Sequence, residues 1–285
     1  LRRRRRATPP QCHPRRGGER RDPVVKLLLL HGFGGRGAVW RPLIDALPDG
    51  LPAGGALVVD APDLPGHGGA HETAEALPDD FEATVDRIAA DHLPSTEGPV
   101  HTVGYSLGAR LALGLALRHP DAVASLTLVG VRPGLDATDR CPRRELDRRR
   151  AEALRADLPA FFEGWSRLPL FESQRRLDPE ILEVQRRIRR GHSPDGLAWA
   201  IETLSPGHMP DYRNRLGELE VPVHWVTGEL DAPFLAVAEG VRVSHPDFRF
   251  FTAPDSGHNV PLEAPAVLAS YLAERVLNAG AEHSR

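Results

Sequence analysis

Short apolar segments alternate with amphipathic helical segments along most of the 285-residue chain, and this alternation limits the fold more than any other feature. Consecutive parallel strands need a long crossover, usually a helix, so the pattern predicts an α/β fold with a mostly parallel, twisted sheet flanked by helices. We predict six strands, at residues Val24–Leu30, Ala56–Asp60, 100–104, 125–129, 223–227 and 247–252. We predict five helices, at residues 39–47, 80–93, Leu107–Arg118, 232–243 and 264–277.

The alternation is interrupted once, between residues 131 and 216. This segment has no strand-like run, and its amphipathic stretches, 145–158 and Pro179–Arg190, are rich in Arg and Glu and separated by prolines. It predicts a helical cap, residues 131–216, inserted into an α/β core formed by residues 23–130 and 217–285. Residues 1–22 hold nine arginines and few apolar side chains, so we predict a disordered tail outside the fold.

The charge distribution argues against some classes of partner. The formal net charge is −3, but residues 1–22 contribute +7, so the other 263 residues carry −10. A nucleic-acid-binding domain needs clustered cations on its folded surface, and this balance argues against one. The cap segment differs from the rest, because its 17 arginines outnumber its 14 acidic residues. A small polycarboxylate bound by a few arginines remains compatible with this charge.

The cysteines and the apolar runs indicate where the protein works. Cys12 and Cys141 are too few for a disulfide framework, which predicts a reducing compartment, the cytoplasm. The longest apolar run, Val24–Leu30, is interrupted by Lys26 and is much shorter than the roughly 20 residues of a membrane-spanning helix. We therefore expect no membrane span. No feature of the sequence predicts an oligomeric state.

The strongest local motif is Gly104-Tyr105-Ser106-Leu107-Gly108, a G-x-S-x-G sequence between a predicted strand and a predicted helix. In that context it is typical of a nucleophile elbow, whose small residues permit a sharp turn that exposes the serine Oγ at the top of the sheet. Ser106 is therefore the predicted catalytic serine. The competing interpretation is an ordinary helix-capping serine, because G-x-S-x-G alone often occurs by chance.

A catalytic serine needs an imidazole that accepts its proton and a carboxylate that orients the imidazole. Two loops that follow predicted strands supply these groups. Asp231 follows the strand at 223–227, and His258 follows the strand at 247–252. We predict that both are catalytic, with Glu229 as the competing acid.

The sequence HGFGG at residues 31–35 directly follows the first predicted strand. A glycine-rich turn brings backbone N–H groups close to a bound oxyanion, so we predict that the backbone amides of Phe33 and Leu107 form an oxyanion hole. The competing interpretation is a tight turn with a structural role only.

Two histidines, His67 and His71, have a spacing that could suggest a metal site. The surrounding Gly and Pro residues preclude a helix that presents both, and no third ligand has a suitable spacing. We expect neither a metal nor a cofactor.

Arg110 lies in the first turn of the helix that follows Ser106. The helix dipole disfavours a cation at this end, so an arginine here suggests an anionic ligand. The competing interpretation is a solvated side chain in an arginine-rich protein.

Together these motifs, in the order serine, acid and histidine, resemble the α/β-hydrolase superfamily. Within it, the chain resembles the 2-succinyl-6-hydroxy-2,4-cyclohexadiene-1-carboxylate (SHCHC) synthases of menaquinone biosynthesis, from about residue 24 to residue 277. The segments that carry this resemblance are PGHGG at 65–69, GYSLGAR at 104–110, PGL at 133–135 with the Arg/Asp-rich helix after it, and Trp165 with PLF at 169–171.

The resemblance implies a lyase that uses the residues of a hydrolase. The reaction would eliminate pyruvate from 2-succinyl-5-enolpyruvyl-6-hydroxy-3-cyclohexene-1-carboxylate, a small molecule with three carboxylates. Ser106, activated by His258 and Asp231, would remove a ring proton, and no acyl-enzyme would form. The family pattern implies these substrate-binding residues: Tyr105, Arg110, Arg144 with Arg143 close by, Arg189, Trp165 and Phe171.

Two other functions are compatible with the same residues. A carboxylesterase, thioesterase or C–C bond hydrolase would use the same three catalytic groups through an acyl-enzyme or gem-diol route. An esterase for apolar substrates should have an apolar cap, however, and this cap is rich in arginine. A non-catalytic binding module would typically have lost a catalytic residue, and all three candidates are present.

Overall fold

The computed structural model describes residues 24–48, 56–68, 77–93 and 98–277. These residues form one parallel sheet with the strand order β2-β1-β3-β4-β5-β6. The six strands are β1 Val24–Leu30, β2 Ala56–Asp60, β3 Val100–Tyr105, β4 Val123–Val129, β5 Val223–Gly228 and β6 Arg249–Ala253. The predicted α/β fold with a parallel sheet is confirmed. The predicted disordered tail at residues 1–22, with Cys12, and also His71 lie outside the described residues.

Helices connect the strands and cover both faces of the sheet. No helix in the described part of the chain combines the length and the apolar character that crossing a membrane requires. The α-helices of the described residues are α1 Arg41–Ala46, α2 Phe81–His92, α3 Leu107–Arg118, α4 Ala137–Ala156, α5 Leu158–Ser166, α6 Pro179–Arg190, α7 Pro194–Thr203, α8 Ala232–Ser244, α9 Val260–Glu263 and α10 Pro265–Leu272.

Several predicted boundaries differ from the structure, and three of these differences have local reasons. The helix predicted at 39–47 is a 3₁₀ turn, Gly37–Trp40, that continues into α1. The strand predicted from residue 247 begins only at Arg249, because a turn closed by the Phe248 N–H on the His245 carbonyl (3.2 Å) precedes it. The helix predicted at 264–277 is α10 followed by a π-helical turn.

The central strands are apolar on both faces because helices cover both sides of the sheet. In β1, Leu27, Leu28, Leu29 and Leu30 are completely buried. Leu28 and Leu30 belong to the apolar cluster on the side of α2 and α3, whereas Leu27 and Leu29 belong to the cluster on the side of α1 and α10. β1 pairs with β3 in parallel, so the loops that follow these two strands meet at the carboxyl edge of the sheet. In open parallel sheets that edge is where ligands bind.

Residues 131–216 lie between β4 and β5, and their regular elements are helical. Prolines were expected to interrupt this segment, but Pro179 and Pro194 begin α6 and α7, where a missing N–H costs nothing. The preceding residues, Asp178 and Ser193, cap these helices by accepting backbone N–H groups. The cap helix predicted at 145–158 starts earlier, as α4, and contains Pro142.

The cap has an apolar cluster of its own. Its buried members come from α4, α5 and α7, and Phe33 of the core packs against them. They are Ala151, Leu154, Leu158, Phe162, Leu197, Ala198 and Ile201.

A buried histidine connects the cap to the core. His192 lies between α6 and α7, and its Nδ1 accepts the Gly68 N–H at 3.0 Å. Its Nε2 donates to the Gly34 carbonyl at 3.2 Å. Because one ring nitrogen accepts and the other donates, this arrangement requires a neutral ring, and burial lowers the pKa of His192 to about 4.

His31 and His67 extend this buried group into the core. The His31 Nε2 accepts the Leu64 N–H at 3.0 Å, so its Nδ1 carries the proton and donates to the Gly32 carbonyl at 2.9 Å. The His67 ring lies 5.0 Å from the His31 ring. Within the described residues, no group of three or more His, Cys, Asp or Glu side chains is arranged to hold a metal ion.

We expect the free energy of unfolding to fall as the pH is lowered from about 6.5 towards 4. The pKa of His192 in the folded protein lies below its ordinary value of 6.5, so the unfolded chain binds more protons in this window. One such histidine changes stability by about 1.4 kcal/mol per pH unit, with stability rising as pH rises. Urea unfolding at several pH values measures the slope, and His192→Asn should reduce it. An unchanged slope in the variant would contradict this role for His192.

Candidate active site

Ser106 lies in a sharp turn between β3 and α3. Its backbone has φ 52° and ψ −103°, a conformation that non-glycine residues rarely adopt. The Ser106 N–H donates to the Val129 carbonyl at 2.9 Å, which ties the turn to the end of β4. The strain and the anchoring hold the side chain out from the carboxyl edge of the sheet.

The two glycines of the motif make this turn possible. A Cβ on Gly104 would lie 2.4 Å from the Gly108 carbonyl oxygen, and one on Gly108 would lie 2.0 Å from the Leu30 carbonyl oxygen. Both distances are too short for non-bonded atoms. Glycine at these positions therefore lets β1, β3 and the start of α3 come together beneath Ser106.

Ser106, His258 and Asp231 form a continuous hydrogen-bonded relay. The His258 Nε2 lies 3.1 Å from the Ser106 Oγ, and its Nδ1 lies 2.7 Å from the Asp231 Oδ2. The carboxylate can only accept, so Nδ1–H donates to Asp231 and the Nε2 lone pair faces the serine hydroxyl. His258 and Asp231 are only 2% and 3% exposed, which keeps water away from both hydrogen-bonding atoms of the imidazole.

Glu229, the competing acid, lies outside this relay. It is exposed, and its carboxylate accepts the Asp255 N–H at 2.9 Å. The structure therefore places Asp231, and not Glu229, against His258.

The loops after β5 and β6 are packed so closely that they fix this relay. A Cβ on Gly228 would lie 2.0 Å from the Gly257 carbonyl oxygen. The Leu230 N–H donates to the Ser256 carbonyl at 2.9 Å, which joins the loop of Asp231 to the loop of His258.

The two residues predicted to supply the oxyanion hole, Phe33 and Leu107, border the same space. Leu107 is the first residue of α3, and an amide in the first turn has no acceptor within its own helix. Phe33 lies in a turn closed by the Gly35 N–H on the Gly32 carbonyl at 3.0 Å. Phe33 and Leu107 line a cavity together with Ser106. An oxyanion bound there would also benefit from the positive end of the α3 dipole.

This cavity, of about 240 Å³, lies between the carboxyl edge of the sheet and the cap. Five of the six residues implied as substrate-binding line it. They are Tyr105, Arg110, Trp165, Phe171 and Arg189.

Arg144 is the exception, because its side chain does not line the cavity, and the expectation that it binds the substrate is corrected to its neighbour Arg143. Arg144 is exposed, and its Nε donates to the Gly207 carbonyl at 2.8 Å, whereas Arg143 lines the cavity. Successive residues of a helix point about 100° apart, so a shift of one position along α4 turns the side chain away from the cavity.

Two further arginines line the cavity, Arg132 and Arg150, and sequence reasoning missed both. Arg150 shares a carboxylate with Arg143. Asp147 is completely buried and accepts Nε of Arg143 at 2.8 and 2.9 Å and Nη1 of Arg150 at 3.4 Å. These residues lie three and four positions apart on α4, a spacing that the sequence displays and that places side chains on one helix face.

Arg110 and Arg189 have no carboxylate partner in the described residues. The Arg110 Nε is buried without a hydrogen-bond partner, and burial together with the Arg143 charge lowers its pKa to about 9, so it remains a cation at neutral pH. The Arg189 guanidinium lies 5.3 Å from the centre of the Phe162 ring, and burial lowers its pKa. Desolvated guanidinium groups of this kind attract anions strongly.

The aromatic residues line the cavity and also pack against one another. The Trp165 ring stacks on Phe161, 5.5 Å between centres, and the Phe171 ring lies 6.2 Å from the His258 ring. Tyr105 is buried beside Ser106, and burial raises the pKa of its phenol well above the ordinary value, so it stays neutral. Trp165 and Phe171 thus line the cavity and also pack within the aromatic cluster of the cap.

The alpha/beta hydrolase family matches residues 27–271 of the chain. The protein belongs to this family. A SHCHC synthase of Enterobacter sp. (strain 638) is 32% identical to this hydrolase-family protein over 255 residues, which cover 87% of this chain and 90% of the relative. This similarity confirms the resemblance recognised from the motifs.

Two solved structures share the fold and part of the sequence. MenH from S. aureus is 28% identical, with a TM-score of 0.77, over 87% of this chain and 91% of that one. A thermophilic esterase from Thermogutta terrifontis, solved with malate bound, is 28% identical, with a TM-score of 0.73, over 88% of each chain.

Proposed function

We propose that this alpha/beta hydrolase family protein is a SHCHC synthase, a lyase that eliminates pyruvate from 2-succinyl-5-enolpyruvyl-6-hydroxy-3-cyclohexene-1-carboxylate. One observation carries the proposal: the Ser106–His258–Asp231 relay faces a cavity lined by five arginines. The substrate carries three carboxylates, so a cavity rich in guanidinium groups suits it. The similarity to a SHCHC synthase supports the same conclusion.

The names of substrate and product define the bond changes. The C2–H bond, α to the succinyl ketone, breaks, and its electrons form a C2=C3 double bond. The C3=C4 double bond moves to C4=C5, and the C5–O bond to the enolpyruvyl group breaks. The leaving enolate takes up one proton and becomes pyruvate, so the proton lost from C2 is balanced and no water is consumed.

The relay provides the proton transfers. The His258 Nε2 accepts the proton of the Ser106 hydroxyl, and the Ser106 oxygen removes the C2 proton. The Asp231 carboxylate stabilises the imidazolium that forms and holds its orientation. His258 then returns a proton to the leaving enolate. Serine acts here as a base in a relay, and no covalent intermediate forms.

The backbone N–H groups of Phe33 and Leu107 stabilise, by hydrogen bonding, the negative charge that develops on the succinyl ketone oxygen. Removal of the C2 proton turns this ketone into an extended enolate, and fixed N–H donors stabilise such an oxyanion more than they stabilise the neutral ketone. This part of the site works in the same way for a tetrahedral intermediate of ester hydrolysis, which explains how one fold supports both reactions.

The arginines that line the cavity make the site selective for a substrate that carries carboxylates. Arg110 and Arg189 are partly desolvated cations without a carboxylate partner in the described residues, so a carboxylate of the substrate replaces the missing anion. Ester hydrolysis, the second candidate function, is supported by the similarity to the T. terrifontis esterase. The arginine-lined cavity favours the lyase, because an apolar ester has no group to neutralise these charges.

The experiment is a stoichiometric one. Purified protein mixed with the substrate should release one pyruvate for each SHCHC formed, with pyruvate followed through lactate dehydrogenase. Succinate release without SHCHC would indicate hydrolytic cleavage and overturn the proposal.

We also propose that the protein acts in the cytoplasm, which its two cysteines support.

A further inference from the structure

The five cavity arginines fall into two groups. Arg143 and Arg150 share the buried Asp147 carboxylate. The other three, Arg110, Arg132 and Arg189, have no carboxylate partner among the residues that the structure describes. Arg110 and Arg189 are already assigned to substrate, which leaves Arg132 as an unpaired cation without a role.

Arg132 is held on the His258 side of the cavity. It follows β4, is half-buried, and its guanidinium carbon lies 5.7 Å from the centre of the Phe234 ring. The Phe234 ring packs against the His258 imidazole, 4.4 Å between centres. The Arg132 guanidinium therefore lies over a ring that is itself in contact with the His258 imidazole.

The contact with Phe234 leaves the N–H groups of Arg132 available, because no hydrogen bond or ion pair among the described residues uses them. A cation–π contact is an attraction between the charge and the ring, and it does not consume the N–H donors of the guanidinium. Those N–H groups match a carboxylate, which binds them bidentately. The contact with Phe234 thus holds Arg132 at the cavity without occupying its hydrogen-bond donors.

A second groove offers Arg132 a different role. Arg132 also borders a groove that contains Asp136 and Asp139, either of which could neutralise it. No ion pair joins Arg132 to these carboxylates in the structure, and Asp136 instead pairs with Arg213 at 2.6 Å. The anion that Arg132 needs is therefore more readily supplied from the cavity.

We infer that Arg132 binds the carboxylate of the enolpyruvyl group, the part of the substrate that leaves as pyruvate. The inference rests on the proposed function. In that reaction His258 returns a proton to the leaving enolate, so the leaving group must lie within reach of the imidazole. Arg132 is the cavity arginine whose guanidinium lies over the ring packed against His258. Arg110 instead lies in α3, four residues after Ser106.

The test compares Arg132→Gln with a matched control, Arg242→Gln. Arg242 also lies over an aromatic ring, 4.3 Å from the centre of Phe250, but it is on the surface outside the cavity. The two variants lose the same charge and the same kind of contact. Each is measured for kcat and KM of SHCHC formation and for inhibition by two probes, pyruvate and succinate.

We expect Arg132→Gln to weaken inhibition by pyruvate about tenfold to a hundredfold, the effect of losing a charged hydrogen-bonding group. Inhibition by succinate should change less than about twofold, and Arg242→Gln should match the unmodified protein throughout. Arg132→Lys, which keeps the charge but not the planar fork, should give an intermediate pyruvate inhibition constant. This second variant keeps the test informative if Arg132→Gln folds poorly.

Two results would overturn the inference. Unchanged pyruvate inhibition in Arg132→Gln would show that Arg132 serves the groove of Asp136 and Asp139 and not the cavity. Equal weakening of pyruvate and succinate would show a general electrostatic effect and not a site for the leaving group. Calorimetric titration of pyruvate into each variant separates this question from the reaction itself. If the unmodified protein forms no SHCHC, the proposed function fails, yet the titration still reports whether Arg132 binds a 2-oxo acid.

Discussion

Ser106→Ala is expected to lower kcat for pyruvate release by about a thousandfold or more. The substitution removes the oxygen that contacts the His258 Nε2 and that would take the C2 proton. General-base catalysis contributes about 10²- to 10⁴-fold, and groups that act as a unit lose most of their joint effect when one is removed. KM should change little, because the arginines of the cavity remain. Steady-state kinetics through lactate dehydrogenase measures both constants.

Ser166→Ala is the matched control for this variant. Ser166 is an exposed serine at the end of α5 whose hydroxyl donates to the Glu163 carbonyl at 2.9 Å. It should keep kcat within about twofold, since it lies outside the cavity. Retention of more than a tenth of the activity by Ser106→Ala, with normal folding, would contradict a proton relay through this serine.

Asp231→Asn should lower kcat by about 10³- to 10⁴-fold while leaving the fold intact. The carboxylate accepts the His258 Nδ1–H at 2.7 Å, and an amide of the same shape can present a donor there instead. The imidazole would then adopt the other tautomer, with its proton on Nε2, and could not accept from Ser106. Kinetics of purified protein, with a thermal unfolding curve to confirm folding, measures the effect.

Glu229→Gln is the control, because this acid lies two residues earlier in the same loop. Its carboxylate is exposed and accepts only the Asp255 N–H among the described residues. Activity should stay within about twofold. Equal losses in the Asp231 and Glu229 variants would mean that the loop is merely disturbed and that the acid is wrongly assigned.

The sheet could be predicted from the sequence because its signal is local. A short, nearly continuous apolar run such as β1 is typical of a strand that is buried on both faces of a sheet. The predicted bounds Val24–Leu30 and Ala56–Asp60 coincide with β1 and β2. The elbow was predictable for the same reason: Gly104 and Gly108 are required by backbone contacts within the motif and with β1.

Other features depend on packing that local sequence does not reveal. Asp231 and Glu229 differ by two positions, and only their burial separates them: Asp231 is 3% exposed, whereas Glu229 is an exposed residue. Arg143 and Arg144 are adjacent, so the choice between them depends on the rotation of α4, whose buried residues are Asp147, Ala151 and Leu154. Nothing in the local sequence indicated that Arg132 lies at the cavity, because its position depends on a contact with Phe234, about a hundred residues away in the chain.

The most direct test of the account measures two reactions with one preparation of the purified protein. The first is pyruvate release from 2-succinyl-5-enolpyruvyl-6-hydroxy-3-cyclohexene-1-carboxylate, and the second is hydrolysis of p-nitrophenyl esters. We predict that kcat/KM for pyruvate release exceeds that for the esters by at least about a thousandfold, since the cavity arginines stabilise only the polycarboxylate. Rapid ester hydrolysis without pyruvate release would contradict the account and identify the protein as a hydrolase.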